Sequence, residues 1–470
     1  MIREITITNA TPEYRQYLNG VSMLFSKLTS LSQLNWNGSL NVPDILLETL
    51  SGQFPKAALT IRVRQPDIHG AAGLEQPLRF IGNFLAGSQL TVLHLCQATG
   101  NRLYSDFKTD LMAMLTRNRV LRKLYIHSEL DRIQEFPEML DCFRGKELPK
   151  LQGLWIYLKN RQLFTKHELF LWGAQGGWED LTYLYLFHSH HMLAFLGQAP
   201  RLTNLSLSPR QQANIAQLET FLDDNDYNPL FDCLKSLTFR GSTFSNNLAR
   251  RHLVPWCMLE RLPKLMKLEI HRMSFVSGSP GPLLQTPDVQ DVIEIRRLCP
   301  ELTSLSMDLT LQNRSADWPY DILLEVTRFE KLTHVVFYLH ILDSKIARAS
   351  VNEFTCFSAL TQMIDEMKLM DSPSPLALTV GFKVVRPWNI MESNWNIPDY
   401  RFTIRRRGDW RSILVHNQAG QKKNPDCLDK ITTDELVARR KIQFSRWFGV
   451  DSKGYQKEIQ RRYRDDRPET

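Results

Sequence analysis

The densest run of metal-ligand side chains is HSHH at 188–191. In an extended segment His188 and His190 fall on one side and could share a zinc ion. A tetrahedral site needs further donors, and no Cys, Asp or Glu lies close in sequence to supply them. The run follows directly on a strand end, so a solvated loop is the better reading and no metal is expected. DDND at 223–226 is acidic enough for a calcium loop but lacks the Gly and the Glu that such a loop requires. It reads as a polar turn. The seven cysteines are an odd number at long spacings, which argues against a disulfide framework and against a zinc knuckle. Phosphate-binding glycine loops, a zinc-protease histidine pair and a nucleophile elbow are all missing from the sequence. VSGSPGP (276–282) is similar to the last only superficially and reads as a loop. No enzyme and no cofactor are expected. The chemistry left to such a chain is recognition.

The elements that would carry recognition residues repeat. L-x-x-L-x-[L/I/F/M] reads LTVLHL at 90–95, LRKLYI at 121–126, LQGLWI at 151–156 and LTYLYL at 181–186. It continues as LTNLSL at 202–207, LKSLTF at 234–239, LMKLEI at 265–270 and LTSLSM at 302–307. Looser copies are IREITI (2–7), LSQLNW (31–36), ALTIRV (58–63), LTHVVF (332–337) and ALTV (377–380). The second apolar position falls at Ile5, Leu34, Leu59, Leu93, Leu124, Leu154, Leu184, Leu205, Leu237, Leu268, Leu305 and Val335. Steps run from 21 to 37 residues around a phase near 30. Alternation inside each copy describes a strand with one face on a core. Between copies, VPDILLETL (42–50), DVQDVIEIRRLC (288–299) and WPYDILLEV (318–326) have helical periodicity, with Pro43 in a first turn. Strand, loop, helix and proline-bearing return make one coil of a right-handed solenoid.

This pattern resembles the leucine-rich-repeat family over about residues 1–385, in its long intracellular form. The degenerate strands after LP or CP and the Trp-rich loops are similar to F-box leucine-rich-repeat proteins of filamentous fungi. The resemblance implies an α/β fold, an irregular solenoid of about 12 repeats. A parallel concave sheet and convex-side helices would make up the array, closed by a C-terminal capping segment. It also implies a non-enzymatic interaction scaffold, the substrate-recognition region of a ubiquitin-ligase adaptor. The ninth repeat position, usually Asn or Cys in the family, is Ala98, Ser242 or Met273 here. No asparagine ladder is therefore expected, and backbone bonding between strands is left as the main tie. An F-box would dock a Skp-type linker, and VPDILLETLSGQFP (42–55) has the look of its opening. Yet PYDILLE recurs at 319–325, and residues 42–55 lie between two repeat strands, so they read as a convex-side helix. A Skp-type partner is expected only if an F-box exists outside this chain or unrecognised within it; the reading is that it was lost or omitted.

In each strand the third, fifth and seventh residues point away from the core. The coil at 121 presents Lys123, Tyr125 and His127; the next presents Gly153, Trp155 and Tyr157; the third presents Tyr183, Tyr185 and Phe187. Later coils present Asn204, Ser206 and Ser208, then Ser236, Thr238 and Arg240, then Lys267, Glu269 and His271, then Ser304, Ser306 and Asp308. Seven rings on adjacent strands about 4.8 Å apart form one patch. It is either a site for a protein partner or a local core covered by segment 158–180 with its WGAQGGW loop (172–178).

The net charge is +8, from 58 Lys+Arg and 50 Asp+Glu. Residues 401–470 hold 18 basic and 10 acidic side chains, so the first 400 residues are neutral. Segment 386–470 reads as a basic terminal piece: RFTIRRRGDWRSILVHN (401–417) as a hairpin or cap strand, and TTDELVARRKIQFSRWFG (432–449) as a helix. Its surface cations include Arg405, Arg406, Arg407, Arg439, Arg440 and Lys441. A solenoid cap explains them best; nucleic-acid binding is the alternative, disfavoured because no aromatic-interleaved basic motif accompanies them. The first residues mix charges from residue 3 with no apolar run, so no signal peptide or membrane span is read, and a cytoplasmic or nuclear location is expected.

Overall fold

The computed structural model describes residues 3–10, 20, 23–25, 27–38, 44–65, 89–97, 107–128, 136–144, 147–158, 163–186, 195, 198–207, 232–242, 256–273, 286–311, 318–341, 356, 359–360, 377–385, 399–407 and 410–416. The chain divides into two compact units, Met1–Leu302 and Thr303–Thr470. In the first unit the described strands are β1 (Glu4–Ala10), β2 (Gln33–Gly38), β3 (Ala58–Gln65), β4 (Leu90–Gln97) and β5 (Lys123–Ser128). They are followed by β6 (Gly153–Leu158), β7 (Tyr183–Leu186), β8 (Asn204–Leu207), β9 (Ser236–Ser242) and β10 (Lys267–Met273). Every neighbouring pair is parallel and consecutive in sequence. Between strands lie α1 (Asp44–Gln53), α2 (Phe107–Arg117), α3 (Leu140–Phe143), α4 (Lys166–Ala174) and α5 (Trp256–Leu259), and α6 (Val289–Leu298) follows β10.

The second unit has β11 (Ser304–Leu311), α7 (Tyr320–Val326), β12 (His334–Ile341) and β13 (Ala377–Val385), again with parallel strands. After Val385 the direction reverses: β14 (Asp399–Arg407) and β15 (Trp410–His416) form an antiparallel hairpin on β13, with two residues between them. Both units are thus α/β with an open, mostly parallel sheet, an arrangement consistent with a solenoid.

The repeated leucine sets the register. Leu93, Leu124, Leu154, Leu184, Leu205, Leu237 and Leu268 face one another strand to strand, as do Ile5, Leu34 and Leu59. Among the leucines of these rows none is more than 2% exposed. One step differs from the expected phase: Leu59 pairs with Leu90, and after a register shift it is Ile61 that faces Leu93. Within the second unit, Leu305, Val335 and Val380 face one another strand to strand.

Coils are tied by more than the backbone ladder. The residue after each leading leucine is often Ser or Thr, and its hydroxyl donates to a carbonyl of the preceding coil. Ser32 Oγ reaches Arg3 O at 2.7 Å, Thr182 Oγ1 reaches Gln152 O at 3.0 Å, and Thr203 Oγ1 reaches Thr182 O at 3.1 Å. Thr91 does the same to Leu59 O, and Thr333 to Thr303 O. Hydroxyls thus tie these coils in addition to the backbone bonds.

Helix starts follow their caps. Thr165 and Glu168 form a capping box at α4, and Asp288 and Asp291 another at α6, each satisfying two N–H groups that a helix start leaves open. Glu168 has a second task. Its carboxylate is fully buried and accepts from Lys108 Nζ of α2 at 2.8 Å, with both side chains at most 1% exposed. It also accepts from Met139 N at 2.7 Å and Thr165 N at 2.8 Å, while Lys108 donates to Pro137 O at 2.8 Å. The Phe164 ring lies 6.0 Å from the ammonium. A desolvated ion pair is tolerable only with its remaining hydrogen-bond capacity met, and here it is. Lys108→Met strands a buried carboxylate and should lower unfolding free energy by about 3–5 kcal/mol in denaturant titration. Adding Glu168→Gln, which removes the stranded charge and keeps an acceptor for one of the two backbone donors, should recover part of that loss.

Candidate functional site

Parallel register decides which side chains become neighbours on the face opposite the leucines. One row across β3–β7 holds Arg62, His94, Tyr125, Trp155 and Tyr185. Beside it run Val92, Lys123, Gly153 and Tyr183, and on the other side His127 lies against Tyr157. Ring geometry follows the rows. Trp155 stacks on Tyr185 with centroids 4.1 Å apart and planes 8° from parallel, and on Tyr183 at 6.1 Å. His127 stacks on Tyr157 at 4.4 Å, Tyr125 is tilted 6.4 Å from Trp155, and His94 lies 5.5 Å from Tyr125. Gly153 is part of the fit. A Cβ there would stand 3.5 Å from both the Lys123 stem and the Tyr125 hydroxyl, an ordinary contact distance that shows how closely both lie over the strand.

The predicted patch is neither wholly presented nor wholly covered. Tyr157 and Tyr185 are 3% and 1% exposed and form a small core of their own, with Trp155 and Tyr183 packed against it. Tyr125, His127, Trp155 and Tyr183 are half-buried, and Arg62 and Lys123 are exposed. Phe187 lies outside the described residues. His94 escaped the sequence reading, although it holds the same fifth position in LTVLHL that Tyr125 holds in the next copy. Periodicity alone identifies it. Burial, then Arg62 and His127, hold the His94 pKa below the ordinary imidazole value, so the ring is neutral at pH 7. Burial raises that of Tyr125, with Arg62 opposing.

One expectation about the outward-facing residues needs correction. Ser206, Ser306 and Asp308 were to be presented to solvent, but they are 5%, 6% and 3% exposed. The polar/apolar alternation of β7, β8 and β11 fails as a burial pattern because both faces of these strands are covered. The described part of segment 158–180 has ring contacts of its own. Trp172 packs on Phe143, Phe164 and Trp178, and Trp178 on Phe195. Their indole N–H groups donate to Pro149 O and Leu169 O. A Cβ on Gly173 would run into Trp178 and Gln198, and one on Gly177 into the Trp172 ring and carbonyl. The glycines of WGAQGGW make room for two tryptophans at a helix end, where Gly176 turns with φ of +80°.

Arg405, Arg406 and Arg407 lie on β14, paired with β15; their side chains, like Arg439, Arg440 and Lys441, fall outside what is described. So do HSHH, DDND and helix 432–449. Among the described residues no three His, Cys, Asp or Glu side chains could together hold a metal, and no helix is long and apolar enough to cross a membrane. Burial pushes the Cys299 thiol pKa up to about 12, which leaves it protonated and inert at neutral pH. In comparison with known proteins, the chain matches no family model and no curated sequence.

The two classes of ring should respond differently to truncation. Tyr185→Ala should cost about 3 kcal/mol of unfolding free energy, and Tyr183→Ser about 1 kcal/mol or less. His94 adds a pH dependence. The unfolded chain, with His94 at the ordinary 6.5, binds the proton first as pH falls, so this part of the stability is complete above that value and declines below it. Thermal midpoints compared at about pH 7.5 and about pH 5 should show a fall that His94→Gln makes smaller.

Proposed function

We propose that this chain is a non-enzymatic interaction scaffold built as an irregular leucine-rich-repeat solenoid of about 12 repeats, with the ring face as its concave binding surface. The reading follows the likeness to the substrate-recognition region of F-box leucine-rich-repeat adaptors. On it, a protein partner is held in the cytoplasm or nucleus, and a Skp-type linker joins only through an F-box. The observation that carries it is the row His94–Tyr125–Trp155, whose half-buried rings lie in register beside exposed Arg62 and Lys123. Half-buried aromatic rings backed by a rigid sheet are the residues that most often anchor a protein interface.

The test is comparative affinity purification with the wild-type chain, a Tyr125→Ser/Tyr183→Ser variant, and Phe170→Ser as a control on the exposed outer side of α4. The ring-face variant should keep a thermal midpoint within a few degrees of wild type and lose the proteins that wild type and control both retain. Partners kept equally by all three, or a recovered set that vanishes on nuclease treatment, overturn the reading.

A further inference from the structure

The described outward residues on β3–β7 are Thr60, Arg62, Val92, His94, Lys123, Tyr125, His127, Gly153, Trp155, Tyr157, Tyr183 and Tyr185. They include two permanent cations and seven aromatic or imidazole rings, and no carboxylate. The nearest carboxylate along the same row is Glu269 on β10, paired with His271 at 2.9 Å. The two cations stand apart, Arg62 on β3 and Lys123 on β5. Arg62 stands at the β3 end of the row and is close enough to His94 and Tyr125 to act on both electrostatically. Trp155 and Tyr183 stand at the other end, stacked and half-buried.

We infer that this face takes an extended acidic segment of a partner protein, laid across the strands, with a carboxylate at Arg62, an aromatic or proline side chain on Trp155 and Tyr183, and Lys123 adding positive charge between them. The inference rests on the reading of the chain as an interaction scaffold and specifies the chemistry of what it holds. Three strand-to-strand steps from β3 to β6 cover about 14 Å, at about 4.8 Å each. An extended chain advances about 3.3–3.6 Å per residue, so the acidic group and the ring anchor should be about four residues apart. Neutral His94 and Tyr125 between them offer flat surface with no charge of their own. A cation beside flat apolar rings complements a carboxylate followed by an apolar anchor, and charge complementarity selects against basic segments at the same place. A nucleic acid would also stack on rings, but its affinity grows with the number of phosphates neutralised, and two cations on a chain whose first 400 residues carry no net charge give little of that.

The experiment is fluorescence anisotropy of the full chain against a labelled decapeptide with two aspartates about four residues before a tryptophan. Comparison probes replace the aspartates by asparagine, the aspartates by lysine, or the tryptophan by glycine, and a labelled oligouridylate stands for RNA. The parent peptide should bind, and the asparagine and glycine peptides should each bind about tenfold more weakly or worse. Arg62→Glu, an exposed change that should leave the thermal midpoint unmoved, should weaken the parent peptide about tenfold and favour the lysine peptide over it. Tyr183→Ser should weaken the parent peptide without that reversal. Absence of parent binding, parent binding undiminished in both variants, or tighter binding of the oligouridylate overturns the inference. If the ring-face variant loses its partners while the acidic peptide fails to bind, the scaffold reading stands and this inference alone falls.

Discussion

A single carbonyl per coil organises the first unit. The oxygen of Gln152 accepts the N–H groups of Thr182 and Tyr183 together with the Thr182 hydroxyl. That of Thr182 takes Thr203 and Asn204, Thr203 takes Lys235 and Ser236, and Lys235 takes Met266 and Lys267. From Arg122 to Lys235 each coil hangs from the same atom of the one before, whereas at the shifted β3–β4 step it is Leu59 N that donates to Gln89 O. Buried backbone groups must be paired, so the chain can leave and return only with a phase that brings this atom back under its donors. Leucine then falls on leucine, and the two faces of every strand inherit the same division of labour. A ring at the fifth position of one copy lies over the fifth position of the next whatever lies in the loops between.

That constraint also explains what could be read from the sequence. The markers at 93, 124, 154, 184, 205, 237 and 268 are paired residues, because an apolar row facing a core tolerates little else. The helices at 44, 289 and 320 were legible from apolar spacing, and a hairpin at 401–417 was one of the two readings its alternation allowed. The step from Leu59 to Leu90 was misphased because a register shift leaves the apolar pattern intact while moving its partner.

Other features could not be reached by periodicity. Burial of Ser206 and Asp308 depends on what covers a face, and a strand pattern reports only which side a residue takes. The threonine hydroxyl ties lie at a position that reads as merely polar. The Lys108–Glu168 pair joins residues 60 apart that each look like ordinary helix-surface charges. His94 was within reach, and was lost only because the ring pattern was taken to begin one coil later.

In a solenoid whose coils touch only their immediate neighbours, stability is close to a sum of local terms, and the array can fray from any weak interface. The Lys108–Glu168 bond does not fit that description. α3 is only four residues long, and a side chain from the helix before it meets one from the helix after it, with both held to residues 137–139 between them. The coils on either side are coupled directly, past their common neighbour. Strands β4 to β7, which carry every stacked ring of the candidate surface, are flanked by helices that this bond joins. Loss of the bond loosens the coils on both sides of α3 at once, which favours loss of the ring surface as a whole over fraying strand by strand.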